Sequence, residues 1–324
     1  MKSIIALAGS LAIAAFGSLA AIAQEYPVHE VTLVVPYTAG GPTDLLARAL
    51  ADALSAKWQK PVVIDNRPGA SETIAAEAVV HAAPDGYTLL FGADPTFSAN
   101  MYLFKNLPYD TDKDLAPIIQ LANVYMGLSI PSSLSVTTVK EFVDMVAKAP
   151  RKYSYGSTGI GTTTHLAMDE FARDNNLKMI HVPYKGTSQV APDLAAGRVH
   201  AMLSNGLVVL PFIKTGKVRM LVFAGPARNP AFPEVPTFTE AGYPNMSAGF
   251  YYGLAAPAGT PKGVIDKIAN DVRDVIADKD FVAKHFAPLG LIPAATTQED
   301  FLKFIAQERT TMKARVEKSG VQLN

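Results

Sequence analysis

Two glycine-bearing loops in this 324-residue sequence combine residue types suited to binding a small anion. The first, Tyr37–Asp44, has the sequence YTAGGPTD, and the second, Ser157–His165, has the sequence STGIGTTTH. Glycine permits tight turns and close approach of the backbone to a ligand, and the free amides of a helix's first turn attract negative charge. Loops that leave the carboxyl ends of parallel strands line the ligand crevice of an open sheet. We therefore predict that one anion binds between these first and second glycine loops.

The spacing of residues in the loops excludes some other interpretations and leaves two open. Ordinary helix capping explains a single loop of this kind, so it stays open for each loop taken alone. The second glycine loop lacks the third glycine of a dinucleotide fingerprint, and the sequence contains no G-x-x-x-x-G-K-[ST] motif. It also lacks the G-x-S-x-G spacing of a nucleophile elbow. A serine hydrolase that uses Ser157 and His165 stays open, because a catalytic triad is defined by geometry.

Composition limits the remaining chemistry. The chain has no cysteine, which excludes disulfides and thiolate sites, and its six histidines show no metal-ligand spacing. Lysine and arginine number 29, as do aspartate and glutamate, so bulk charge attracts neither nucleic acid nor an anionic membrane. We expect no metal, no cofactor and no nucleic-acid partner. The expected form is a monomer.

An export signal is predicted at the N terminus. Lys2 precedes an apolar run from Ile4 to Ile22, and Ala21-Ile22-Ala23 supplies an A-x-A pattern. These features are typical of a cleavable signal peptide, here residues 1–23. No later segment stays apolar for the ~20 residues that a transmembrane helix needs. Export without cysteine fits a bacterial periplasmic protein.

Apolar β-branched runs alternate with helical patterns, which predicts an α/β protein with mostly parallel strands covered by helices. Strands are predicted at residues 31–35, 62–64, 87–91, 124–130, 153–156, 179–182, 199–203, 218–224 and 251–257. Removing 23 of the 324 residues leaves 301, which suggests two domains. The pattern leaves open whether the domains follow in series or the chain crosses and returns.

The order of several short motifs resembles the Bug receptors, the periplasmic solute-binding proteins of tripartite tricarboxylate transporters. The resemblance covers essentially the whole mature chain. Besides the second glycine loop, the motifs are VPYTAGGPTD (35–44), PVVIDNRPGA (61–70), APDGYTLL (83–90), NLPYD (106–110), VPYKGT (182–187), PEVPT (233–237) with EAG (240–242), and APAGTP (256–261).

The resemblance implies a type II periplasmic-binding fold, in which two α/β lobes are joined by two crossing segments and enclose a ligand cleft. Lobe one would comprise residues 24–123 and 249–324, and lobe two residues 124–248, with crossings near 121–126 and 246–251. The implied function is an extracytoplasmic receptor that captures a small organic carboxylate and delivers it to the membrane components of such a transporter. A periplasmic sensor of the same ligands is the alternative.

In these receptors the cleft holds a carboxylate through backbone amides, hydroxyls and bridging waters. The implied ligand-binding residues are Tyr37, Thr38, Gly40, Gly41, Asp44, Thr96 and Phe97 in lobe one, and Ser157, Thr158, Thr162, His165, Tyr184, Gly186, Thr187 and Ser204 in lobe two. Many relatives carry two acids in V-D-L-M-F-D-N, where this chain has His200 and Ser204. The loss of an acid favours dicarboxylic or aromatic carboxylic acids over amino acids. Tyr37, Phe97 and Phe250 are candidate walls of the cleft.

Overall fold

The structure is a computed structural model that describes residues 26–184, 186–229, 231–246 and 248–323. The predicted signal peptide therefore lies outside the described residues, as does Lys185 of the VPYKGT motif. Among the residues that are described, no helix combines the length and the apolar character needed to span a bilayer.

Lobe one begins with three parallel strands joined by helices. The strands are β1 (Val31–Val35), β2 (Val62–Asn66) and β3 (Thr88–Ala93), and the connecting helices are α1 (Pro42–Trp58) and α2 (Thr73–Val80). β1 lies between β2 and β3 and is parallel to both. Because parallel strands end at the same edge of a sheet, the first glycine loop after β1 and Asp94 after β3 share that edge.

Two long strands connect the lobes. A short helix α3 (Asn100–Leu103) precedes β4 (Leu115–Pro131), whose first part pairs antiparallel with β9 (Gly249–Pro257) and β10 (Ile292–Pro293). The last part of β4 pairs with β7 (Met202–Asn205) and β8 (Val218–Phe223). The Met126 amide donates to the Ala248 carbonyl at 2.9 Å, just before β9 begins. The two crossing segments therefore run side by side.

Lobe two repeats the strand-and-helix scheme. Its remaining elements are α4 (Val139–Ala147), β5 (Ser154–Ser157), α5 (Thr163–Asp174), β6 (Ile180–Pro183), α6 (Thr187–Ala195) and α7 (Gly206–Lys214). β5 and β6 are parallel neighbours. The first turns of α5 and α6, which follow them, consequently lie at one edge of this small sheet.

The chain ends on lobe one with α8 (Lys262–Ala277), α9 (Lys279–His285) and α10 (Gln298–Ser319). Ile268 and Val272 of α8 belong to one apolar cluster of lobe one, and Phe301 of α10 belongs to a second cluster of the same lobe. Lobe two has its own core, which includes Phe142 and Phe171. Each lobe thus buries a separate apolar interior.

The predicted α/β architecture of two lobes with two crossings is confirmed, although some strands differ in extent. The strand predicted at 124–130 begins earlier, at Leu115, because its first part pairs with β9. The register of this pairing shifts after Pro117 and again after Gln120. The strand predicted at 199–203 is β7, which begins three residues later. The boundaries at 123/124 and 248/249 stay a prediction.

Candidate functional site

The first glycine loop is fixed by the carboxylate of Asp44. Gly40 has a φ of +81°, and its amide donates to Asp44 Oδ2 at 2.8 Å. Arg48 Nε and Asn66 Nδ2 donate to the same carboxylate at 2.8 and 2.9 Å. Desolvation acts to raise the pKa of Asp44, but these hydrogen bonds, led by that from Arg48, hold it below its usual value. Asp44 therefore holds the loop in shape, while Thr38 is exposed at its tip and Gly41 caps α1.

A buried acid supports the loop from behind. Ala70, Ser71 and Glu72 occupy the left-handed region consecutively, with φ of 45°, 51° and 73°. This turn directs the Glu72 side chain inward, where its carboxylate accepts hydrogen bonds from the Tyr37 hydroxyl, the Ala93 amide at 3.0 Å and the Thr96 hydroxyl at 2.6 Å. Burial raises the pKa of Glu72 despite these donors. Thr96 and Tyr37 are consequently engaged within lobe one.

Asp94 joins the two lobes at the edge where the glycine loops lie. It follows β3, is 2 % exposed, and accepts a hydrogen bond from the Thr163 hydroxyl of α5 at 2.9 Å. Burial, and then the nearby charge of Glu72, raise the pKa of Asp94 well above its usual value. This contact places the end of β3 against the first turn of α5.

The second glycine loop is built by its own hydroxyl groups. Thr162 caps α5, accepting from the His165 amide and donating to the Gly159 carbonyl at 2.8 Å. The Thr158 amide donates to Thr164 Oγ1 at 2.9 Å. Ser157 is fully buried, and its Oγ lies 2.7 Å from Nε2 of His181 on the neighbouring strand. The predicted hydroxyl donors are therefore largely engaged in holding the loop.

Two stacked imidazoles lie beneath this loop. The Gly161 amide donates to His165 Nδ1 at 3.1 Å, which assigns the His165 proton to Nε2. The rings of His165 and His181 stack with centroids 3.9 Å apart. Desolvation lowers the pKa of both, and the neighbouring His165 helps to lower that of His181 to about 4. Both rings are accordingly neutral near pH 7, and the residue paired with Ser157 is His181, not His165.

The remaining predicted residues of lobe two lie around α6 and β7. The Tyr184 hydroxyl donates to Asp193 Oδ2 at 2.8 Å, while Gly186 caps α6 and Thr187 begins it. Ser204 is 1 % exposed, and among the described residues its hydroxyl has no hydrogen-bond partner. Ser204 thus has a free donor at the carboxyl end of β7, beside the crossing strand β4.

The candidate aromatic walls occupy different environments. Phe97 is fully buried and packs against Phe301 and Tyr251, with ring centroids 5.5 and 6.1 Å away. Phe250 is half-buried at the start of β9 and contacts the cores of both lobes. The surroundings of Phe97 favour a core role, and its contact with a ligand stays a prediction. The role of Phe250 as a wall of the cleft likewise stays a prediction.

The arrangement leaves backbone amides, more than hydroxyls, as donors for a ligand. The first turns of α1, α5 and α6 follow strand ends, and the amides of such turns lack partners inside their helices. Their partial positive charge attracts an anion to the edges that Asp94 and Thr163 bring together. In the part of the chain that is described, no three histidine or acidic side chains form a metal-binding group.

Sequence reasoning missed two residues of this region. The role of Glu72 could not be predicted, because it depends on three successive non-glycine residues in the left-handed region, a rare conformation that no sequence pattern indicates. The contact of His181 with Ser157 depends on the pairing of β5 with β6, which places the two residues diagonally opposite each other. The sequence pattern of the short strand β6 does not indicate this pairing. Both depend on contacts between segments distant in sequence.

Comparison with known proteins identifies the family of this chain. The family model described as the tripartite tricarboxylate transporter family receptor matches residues 46–321. Protein BugT of Bordetella pertussis is 30% identical over 302 residues, which cover 93% of this chain and 92% of BugT. A solved R. palustris structure with adipate has 32% identity and a TM-score of 0.83, and covers 92% of this chain and 99% of its own. MatC from Rhodopseudomonas palustris with bound malate has 31% identity and a TM-score of 0.77, and covers 90% of this chain and 100% of its own.

These likenesses extend over nearly the whole described chain and confirm both the resemblance and the type II periplasmic-binding fold. The matching family model describes a receptor, and a solved structure of the periplasmic binding protein BugD is 31% identical, with a TM-score of 0.78 over 92% of this chain and 99% of its own; this confirms the prediction of a binding protein over an enzyme such as a serine hydrolase. The chain therefore belongs to the receptor family of the tripartite tricarboxylate transporters.

Proposed function

We propose that this receptor binds a small organic carboxylate between its lobes in the periplasm, after cleavage of residues 1–23, and delivers it to the membrane components of a tripartite tricarboxylate transporter. The observation that carries the proposal is the Thr163–Asp94 hydrogen bond, which joins the second glycine loop to the end of β3, at the sheet edge where the first glycine loop also lies. Helix first turns from both lobes would then lie close enough to share one ligand.

Closure of the lobes removes a ligand carboxylate from water, so its oxygens need donors within the protein. An unpaired buried carboxylate would cost several kcal/mol. Amides of the first turns of α5 and α6 provide such donors without side-chain rearrangement, and the Ser204 hydroxyl adds another. Neutral His165 can donate from Nε2, because Nδ1 already accepts from Gly161.

The ligand class follows from the relatives and from the residues of lobe two. Solved relatives contain adipate and malate, which are both dicarboxylates. The resemblance to the Bug receptors implies an acid at the position of Ser204 in many relatives, and the serine here would remove one partner for a ligand ammonium. We therefore place dicarboxylates and tricarboxylates first, and aromatic carboxylic acids second, with Phe250 as the wall for a ring.

A thermal-shift panel tests the proposal. The purified protein is unfolded, dialysed and refolded to remove any ligand acquired during expression, and is then heated with adipate, malate, citrate, benzoate or glutamate. A ligand at about 100 times its Kd stabilises the folded state by about 2.7 kcal/mol, which raises the midpoint by several degrees. If none of these acids raises the midpoint, the protein is not a carboxylate receptor.

Delivery is a separate step with its own test. Cells that express the membrane components with or without this receptor are compared for uptake of the acid that gives the largest shift. Uptake should depend on the receptor. Binding without receptor-dependent uptake would instead support the sensor alternative.

A further inference from the structure

The C-terminal tail, Gly320–Leu323, turns away from α10 at Gly320, which has a φ of +67°, and lies on lobe one. The Leu323 amide donates to the Leu103 carbonyl at 2.7 Å, and the Lys105 amide donates to the Leu323 carbonyl at 3.2 Å. Phe104 and Leu323 form a parallel bridge through these bonds. The tail is thereby paired with the chain that leaves α3, next to the inter-lobe contact at Asp94.

The tail contacts the second glycine loop at Gly161. A Cβ built on Gly161 would lie 3.4 Å from Leu323 Cδ1, 3.6 Å from Leu103 Cδ2 and 3.7 Å from Val321 Cγ1. Gly161 has a φ of +77°, and its amide holds His165. Three apolar side chains of lobe one therefore pack against the residue that turns the loop into α5.

A second set of contacts joins the end of α10 to α5. Arg315 is 3 % exposed, and its Nε donates to Glu170 Oε2 at 2.7 Å. Arg173 Nη1 donates to the Lys318 carbonyl at 2.8 Å. An apolar cluster lies beside these bonds and combines residues of both lobes, namely Ala99, Leu103, Leu166, Met312 and Val316. The C-terminal segment is consequently a third connection between the lobes, in addition to β4 and β9.

We infer that residues 315–323 position the second glycine loop and so contribute to ligand affinity from outside the cleft. Contacts between the lobes stabilise the arrangement in which they form, and a ligand bound by that arrangement gains affinity as its population rises. Holding the loop before the ligand arrives also lowers the ordering cost of binding. The affinity part of the inference rests on the proposed function, whereas the positioning of the loop does not.

The test compares two variants of the tail in the full chain. Val321→Ala combined with Leu323→Ala shortens both side chains that reach Gly161. Gln322→Ala, on the exposed face of the same tail, is the matched control. Hydrogen exchange is measured without added ligand on peptides that cover residues 157–166. The double variant should exchange there about tenfold faster than wild type, a loss of about 1.4 kcal/mol of local protection, and the control should match wild type.

Affinity is measured on the same proteins with adipate and malate as probes. The double variant should bind about tenfold more weakly, mainly through faster dissociation. Unchanged exchange over residues 157–166 would overturn the inference, as would faster exchange spread evenly over both lobes, which indicates general destabilisation. If exchange becomes faster over residues 157–166 but wild type binds neither acid, loop positioning is supported. That result would count only against the proposed ligand class.

Discussion

Replacing Glu72 with alanine removes the acceptor on which three buried donors of lobe one depend. The donors are the Tyr37 and Thr96 hydroxyls and the Ala93 amide. Glu72 is 4 % exposed, so little water is available to replace it. Each unsatisfied buried donor costs about 1–3 kcal/mol, although relief of the carboxyl group's own desolvation offsets part of the sum. We expect a net loss of about 2–4 kcal/mol in the free energy of unfolding.

Urea unfolding followed by fluorescence measures this loss, because Trp58 is the single tryptophan and is buried in lobe one. Ser71→Ala is the matched control, since Ser71 shares the left-handed backbone and adopts a φ of 51°. The control should stay within about 0.5 kcal/mol of wild type. The Glu72 variant should also bind ligand more weakly, because Tyr37 loses its anchor. If Glu72→Ala unfolds at the same urea concentration as Ser71→Ala, the three hydrogen bonds do not hold the loop.

Three further predictions concern the loops and their titrating groups. Gly40→Val should weaken ligand binding strongly, because a β-branched residue is strained at a φ of +81°, while Gly216→Val, which carries similar strain at a φ of +69° in an exposed turn outside both glycine loops, should bind normally by calorimetry. The half-buried, neutral His181 favours the folded state above its unfolded pKa of 6.5, and this stability is lost as the pH falls toward about 4. His181→Asn should therefore flatten the dependence of urea midpoints on pH between pH 8 and pH 4. Asp94, whose pKa is raised, stabilises the fold at low pH and loses this contribution as the pH rises, so Asp94→Asn should gain stability relative to wild type at pH 8 and not at pH 4. Equal slopes in wild type and variant would refute either titration.

The two glycine loops show what the sequence predicted correctly. Glycines, hydroxyls and helix starts after strand patterns predicted where the loops lie, and the structure has α1 and α5 beginning at Pro42 and Thr163. The roles of the hydroxyl groups were not predictable in the same way. Thr158 and Thr162 bond within their loop, and this depends on the backbone path that the loop takes.

The extent of the crossing strands could not be predicted from local pattern. β4 continues through Pro117 and Gln120 because β9, more than 100 residues later, supplies its hydrogen bonds. Trp58, at the end of α1, is buried and donates to Asp271 of α8 at 2.6 Å, a partner more than 200 residues later in the chain. Both outcomes depend on partners distant in sequence.

The sequence by itself determined the α/β class, the family and the position of both glycine loops, because period, turn residues and motif order are local properties. Only the tertiary structure brought Asp94 to Thr163, Glu72 to Tyr37 and the C-terminal tail to Gly161. These contacts join segments from 35 to more than 100 residues apart, and packing of the two lobes decides which of them meet. The positions of the loops therefore follow from the sequence, whereas the contacts that bring them together follow from the fold.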